Sequence, residues 1–224
     1  MIKRALADIV HILFLYFLLG LLLTGISLLF SSAEVRIGTF RPISQIPLHE
    51  FVLLAASMLV SGLALLANRR FDYSLLLLPP VFVIFLDIDH LPSAIGLAQP
   101  IRPAHSILFV FLFSILLYYL LHKPASYSLL AVSSFAVHIS VDTGVFALLA
   151  PFSFNYYSLA GYRPELLLLG IFFAILAGYV HRKTATEQVT QVYSKGSTSS
   201  EPISYLKPSA DNTDIITLQV SETC

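Results

Sequence analysis

Apolar residues run along this chain in long, uninterrupted blocks. Six windows are long or apolar enough to consider as membrane crossings: Ile9–Phe30, Phe51–Ala67, Leu75–Leu86, Ile107–Leu121, Ala125–Ala150 and Leu166–Val180. None alternates with the period of two that a barrel strand needs, so the blocks predict helices. The third window is short and contains Pro79-Pro80, which predicts a kink or a crossing completed by Phe71 to Tyr73. The expected fold is all-α, a polytopic transmembrane helical bundle of about six spans over residues 1–183. Beyond Lys183 the pattern stops: residues 184–224 carry 14 Ser or Thr and no phenylalanine, which predicts a mostly disordered cytoplasmic tail. Within it, Ile203–Leu206 and Ile215–Val220 are short apolar patches. No internal repeat supports an inverted-repeat transporter.

Composition agrees with lipid as the solvent. The 224 residues are 57% hydrophobic and 12% charged, with a mean hydropathy of +0.82. Net charge is zero and no basic run exceeds two residues, which argues against nucleic acid as a partner. The single cysteine, Cys224, provides neither a disulfide framework nor a thiolate cluster. Lys3 and Arg4 precede the first apolar block, and Ser31-Ser32-Ala33 has the small residues of a leader cleavage site. The uncharged stretch Ile9–Phe30 is nevertheless 22 residues long, beyond the roughly 7–15 of a leader's apolar core, and reads as a retained span.

Threading six spans from an inside N-terminus places Lys3, Arg4, Arg69, Arg70, Lys123, Arg182 and Lys183 on one side and Arg36, Arg41, Arg102 and Arg163 on the other. Seven against four predicts a multi-pass cell-membrane protein with both termini cytoplasmic. The same threading delivers ionisable residues to the outer face from four helices. His49 starts the second span, Asp87, Asp89 and His90 end the third, and His105 starts the fourth. In the fifth, His138 and Asp142 lie four residues apart, on one helical face turned into the bundle because a lipid-facing aspartate is costly. His138 falls near the middle of the window Ala125–Ala150. His11, His122 and His181 fall at or near the inner side, with only Asp8 as a carboxylate close in sequence, and read as interfacial or capping histidines.

Mixed imidazole and carboxylate donors suit zinc, manganese or iron, whereas calcium or magnesium prefers oxygen alone. The candidate ligands are His49, Asp87, His90, His105, His138 and Asp142. Asp87 and His90 share a helical face, leaving Asp89 as a second arm or an orienting acceptor. A buried hydrogen-bonded network that only ties helices together is the alternative for the whole set.

At these residues the chain resembles the YdjM-like family of predicted membrane-bound metal-dependent hydrolases. The pattern is an early His, an Asp-x-Asp-His element, a His-Ser pair, and a His followed four residues later by Asp. Here these are His49, Asp87-Ile88-Asp89-His90, His105-Ser106 and His138-Ile139-Ser140-Val141-Asp142, within residues 48–155. The chain departs from the family in having Leu86 where Pro usually precedes Asp-x-Asp-His, and Pro100-Ile101-Arg102-Pro103-Ala104 in place of a His-Arg-Gly lead-in.

The resemblance implies a divalent metal ion and a hydrolase. A metal with an open position lowers the pKa of water for attack on an ester, phosphoester or amide. Asp89 or Asp142 is then the proton acceptor, and Arg102 the cation for an anionic oxygen. A site near the outer interface between spans predicts a membrane lipid or a lipid-linked phosphoester substrate. The competing expectations are a metal-ion transporter, supported by the mid-span position of His138, and a non-catalytic structural membrane protein.

Overall fold

The structure, a computed structural model, describes residues 2–30, 46–86, 103–142, 145–146, 149–150 and 157–196. Among these, six α-helices account for nearly all the regular structure: α1 (Ile2–Phe30), α2 (Ile46–Asn68), α3 (Tyr73–Leu86), α4 (Ile107–Tyr119), α5 (Ala125–Val141) and α6 (Arg163–Gly196). A two-residue antiparallel ladder, Val145↔Ser158 and Phe146↔Tyr157, lies between α5 and α6. Residues 1–188 form one compact unit. The second unit, residues 189–224, is described only as far as Gly196, where it is helical.

Among the described residues, three helices are long and apolar enough to cross a membrane, at Leu6–Leu23, Phe51–Asn68 and Arg163–Glu187. In α1 the buried residues Ile12, Leu15, Tyr16, Leu19 and Leu23 recur at helical spacing, while Val10, Phe14, Leu18, Leu21 and Leu22 on the other faces are exposed. A helix that is apolar on both its packed and its open face needs an apolar surround. The other three helices are shorter. At 1.5 Å per residue, the 14, 13 and 17 residues of α3, α4 and α5 rise about 21, 20 and 26 Å, short of a hydrocarbon core of about 30 Å.

Consecutive helices run antiparallel. Asp8 near the start of α1, Asp72 between α2 and α3, Lys123 between α4 and α5, and His181 in α6 meet at one end of the unit. The starts of α2 and α4 and the end of α5 form the other. Arg69 and His122, with φ of 59° and 49°, sit just past the ends of α2 and α4, where a left-handed residue reverses the chain.

Two local sequence features shape this packing. Pro79 and Pro80 lie inside α3, and Pro80 cannot donate to the carbonyl of Leu76 four residues earlier. Ser61 of α2 takes over that role, donating from Oγ to Leu76 O at 2.9 Å and sharing its proton with Ser57 O at 3.1 Å. The proline pair is therefore held in a continuous helix by a neighbour's hydroxyl. The second feature is the small-residue series Gly170, Ala174, Gly178 on α6. A Cβ at Gly178 would overlap the backbone of Ala64 in α2, and one at Gly170 would meet Val137 Cγ2 at 2.5 Å and Ser133 O at 3.1 Å. Small residues at this spacing let α6 approach α2 and α5 backbone to backbone.

Helix α5 is central, packing against α2, α3, α4 and α6, with eleven of its 17 residues buried. It ends at Val141, with Asp142 as the C-cap, so the window extended to Ala150 overstates the span. His138 belongs to the last turn of α5 and not to its middle. At the other terminus, helix α6 continues to Gly196, so residues 184–196 are helical where a disordered tail was expected. The hydroxyls of Thr184 and Thr186 donate to Val180 O and Arg182 O, and Lys183 lies 3.9 Å from Glu187. Polar composition therefore did not mean a broken helix. The two apolar patches of the tail lie outside the described residues.

Replacing Ser61 by Ala should leave the Leu76 carbonyl without its donor and lower unfolding stability in detergent by about 1–3 kcal/mol. In a Pro80→Ala background, where residue 80 regains an N–H, the same change should cost markedly less. Equal costs in the two backgrounds would contradict this account of α3.

Candidate metal centre

His105, Ser106 and the start of α4 are built by one local device. A short 3-10 turn, Pro103–His105, leads into Ser106, whose extended backbone and side chain cap α4 by accepting from Phe109 N at 3.0 Å. His105 is thereby fixed one residue before the cap, and is fully buried. The serine of the His-Ser pair is a helix cap. The second arm comes from α5, where the Asp142 N–H donates to His138 O at 2.9 Å and keeps the last turn helical. Asp142 then takes φ −68° and ψ 138°, turning the chain away. One helix end thus presents an imidazole and a carboxylate, and the neighbouring helix start presents a second imidazole.

The three side chains converge. His105 Nε2 lies 3.1 Å from His138 Nε2 and 4.0 Å from Asp142 Oδ2, and one ligand atom from each residue lies within 4.8 Å of the others. All three residues are buried. Two ligands about 2.05 Å from a tetrahedral zinc are about 3.3 Å apart, and two in trans positions about 4.1 Å. The 3.1 Å contact is close to a coordination edge, and the carboxylate, 4.0 Å from His105 in a group whose ligand atoms lie within 4.8 Å, needs to close by about 1 Å to reach one. Donor chemistry fits as well, since two imidazoles and one carboxylate make the three-ligand set of a catalytic zinc site with one open position. The residues present therefore fit a divalent ion. Without one, the same 3.1 Å contact is an imidazole N–H···N hydrogen bond in which one ring donates and the other accepts.

Of the six candidate ligands, the structure gathers His105, His138 and Asp142. His49 lies in the first turn of α2, at the end of that helix away from Asn68. Asp87, Asp89, His90 and Arg102 lie outside the described residues. Helix α3 ends at Leu86, immediately before Asp87 in the chain, and Leu86 lines a small apolar cavity with Phe109 and Phe135. These two residues lie four and three positions from His105 and His138 in sequence.

A second polar group lies at the opposite end of the bundle. Lys123 Nζ donates to Asp8 Oδ1 at 2.6 Å, and the Tyr127 hydroxyl donates to Asp8 Oδ2 at 3.2 Å. His181 joins Ser126 Oγ to Nδ1 at 3.0 Å and Asp72 Oδ2 to Nε2 at 3.3 Å, with its ring stacked near that of Tyr127. His181 is therefore a bridge between helices, a role that its reading as an interfacial or capping histidine did not include. The carboxylate it meets lies 109 positions away in the chain. A local signal was present in Asp72-Tyr73-Ser74, a helix-start pattern, and Asp72 Oδ1 does accept from Ser74 N at 2.7 Å. Ser126–His181–Asp72 has the connectivity of a hydrolytic triad with its exposure reversed: Ser126 is fully buried while the Asp72 side chain is 32% exposed. A nucleophile needs the opposite, so this group is a clasp between the α2–α3 connection, α5 and α6.

No protein family, curated protein or solved structure matches the chain. Fold and site together define an apolar helical bundle with a buried His-His-Asp group able to hold a metal ion.

The hydrogen bond from His181, seconded by the N–H groups of Ser74 and Leu75 and opposed by burial, holds the Asp72 carboxyl down at about 2, against an ordinary 3.8. A carboxyl depressed in the folded state adds stability above its unfolded value, and loses it as pH falls through the folded value. The unfolding midpoint of the native chain should therefore drop between pH 3.8 and about 2. Asp72→Asn should be less stable at neutral pH and show a shallower acid decline. Identical acid profiles would remove Asp72 from the clasp.

Proposed function

We propose that this chain is a membrane-embedded, metal-dependent hydrolase that acts near the outer membrane face on a lipid or lipid-linked ester, most naturally a phosphoester. The observation that carries the reading is the convergence of His105, His138 and Asp142, all buried and within 4.8 Å, at one end of an apolar bundle. Burying two imidazoles and a carboxylate together is costly unless they share a partner that uses their lone pairs.

In this reading all six helices cross the bilayer, with the shorter α3, α4 and α5 enclosed by their neighbours, and both termini are cytoplasmic. The antiparallel order of consecutive helices supports it, as does the larger number of Lys and Arg at the end carrying Asp8, Asp72, Lys123 and His181. The metal centre then opens to the outer face, where head groups lie.

A divalent ion of the zinc, manganese or iron type supplies water activation and charge stabilisation at neutral pH. The chain's own residues do the rest. His105 and His138 present neutral Nε2 atoms and anchor the ion to two helices. His49, Asp87 and His90 are the further ligands that complete or share the set. Asp142, one turn beyond His138, either ligates or accepts the proton of the attacking water, and Asp89 serves as the alternative acceptor. Arg102, three residues before His105, pairs with the anionic oxygen of the substrate.

Metal-ion transport is the second reading. The buried hydroxyls of Ser126, Ser133 and Ser134 on α5 and the Asp72–His181 pair at its far end favour it, because they place polar groups along one helix between the two faces. The position of His138 in a terminal turn weighs against it.

A panel of membrane-impermeant phosphoester and carboxylic ester substrates, offered to right-side-out and to inverted sealed vesicles, tests function and orientation together. Metal-dependent turnover is expected in right-side-out vesicles alone, with Asp142→Asn inactive although inserted at the wild-type level. Metal uptake without turnover would replace the hydrolase by the transporter, and turnover only in inverted vesicles would reverse the orientation.

A further inference from the structure

We propose that Ser134 is a positioning residue of the metal centre, accepting the Nδ1–H of His138 in the metal-loaded state and so holding the Nε2 lone pair toward the ion. The proposal rests on the metal-centre reading above and adds to it a residue outside the ligand set.

Among the described residues two serine hydroxyls, those of Ser114 and Ser134, are buried without a hydrogen-bond partner, and of these only Ser134 lies on the helix that carries His138. Ser57, Ser61, Ser128, Ser133 and Ser140 all donate to backbone carbonyls, at 2.6 to 3.1 Å. The hydroxyl of Ser134 is fully buried and has no hydrogen-bond partner, although its own helix offers it an acceptor one turn back. A buried hydroxyl left this way costs about 1–3 kcal/mol, so its presence calls for a partner in another state of the protein.

Position supplies that partner. Ser134 lies four residues before His138, one turn down the same face of α5. Helical side chains lean toward the N-terminus, so the His138 ring overhangs the turn that carries Ser134. Because Nε2 of His138 is turned to His105 at 3.1 Å, Nδ1 is the ring nitrogen nearer its own helix. An imidazole that ligates through Nε2 must carry its proton on Nδ1, and ligating histidines almost always donate that proton to an acceptor that sets the tautomer. Rotation about χ1 between staggered wells is open to a serine side chain and redirects its Oγ.

Ser133 is a built-in control. It is equally buried and adjacent in sequence, but its hydroxyl donates to Gly170 O at 2.6 Å and so ties α5 to α6. The two serines should respond in opposite ways. With zinc or cobalt titrated into the purified full-length chain in detergent, Ser134→Ala should bind roughly 10–100-fold more weakly than the native protein. Its metal-free unfolding midpoint should be unchanged or raised, because no bond is lost. Ser133→Ala should unfold at a lower temperature yet keep the native metal affinity. Native affinity in Ser134→Ala, or equal affinity losses in both variants, would overturn the proposal while leaving the metal centre standing. Failure of the native chain to bind either metal would overturn both.

Discussion

Every polar group inside an apolar bundle must find its partner within the bundle, and α5 is where that constraint concentrates. It is the least apolar of the buried helices and the one with the most neighbours. Its serines answer to different helices: Ser128 to Ser114 O in α4, Ser133 to Gly170 O in α6, and Ser126 to His181 in α6. These bonds, with the close approach of α6 at Gly170 and Gly178, set the relative height of the helices. The same logic lets α3 keep two prolines, since the carbonyl that Pro80 cannot serve is served by Ser61.

The polarity of α5 sorts to its two ends, and the ends differ in chemistry. One carries the Asp72–His181–Ser126 clasp and the Asp8–Lys123 ion pair, in which opposite charges and donor–acceptor matches satisfy one another. The other gathers two imidazoles and a carboxylate, a donor set that a divalent cation could use. The first group is complete in itself and fits a structural role. The second could hold an ion, and that difference in chemistry makes it the candidate site.

Much of this was legible in the sequence because it depends on local periodicity. The helices appear as apolar blocks, and His138 and Asp142 meet because residues four apart always share a helical face. The convergence of His105 with them was expected from alternating the direction of successive helices. What escaped the sequence depends on contacts between distant segments. Asp72 and His181 are 109 residues apart, and nothing near His181 advertises a carboxylate. The end of α5 was misplaced because residues 142–150 remain apolar enough to extend the window, although Asp142 and Gly144 interrupt it. Helix α6 outran its expected end, with Thr184 and Thr186 bonding back to their own helix, which composition does not reveal.

The metal centre can be tested by elemental analysis of the full-length chain, purified in detergent, beside a His105→Ala, His138→Ala double variant. The two histidines come from different helix ends, so their joint loss dismantles the group while sparing the rest of α5. Stoichiometric zinc, manganese or iron is expected in the native protein and none in the variant. No metal in either after supplementation, or equal metal in both, would contradict that expectation and leave His105, His138 and Asp142 as a hydrogen-bonded tie between helices.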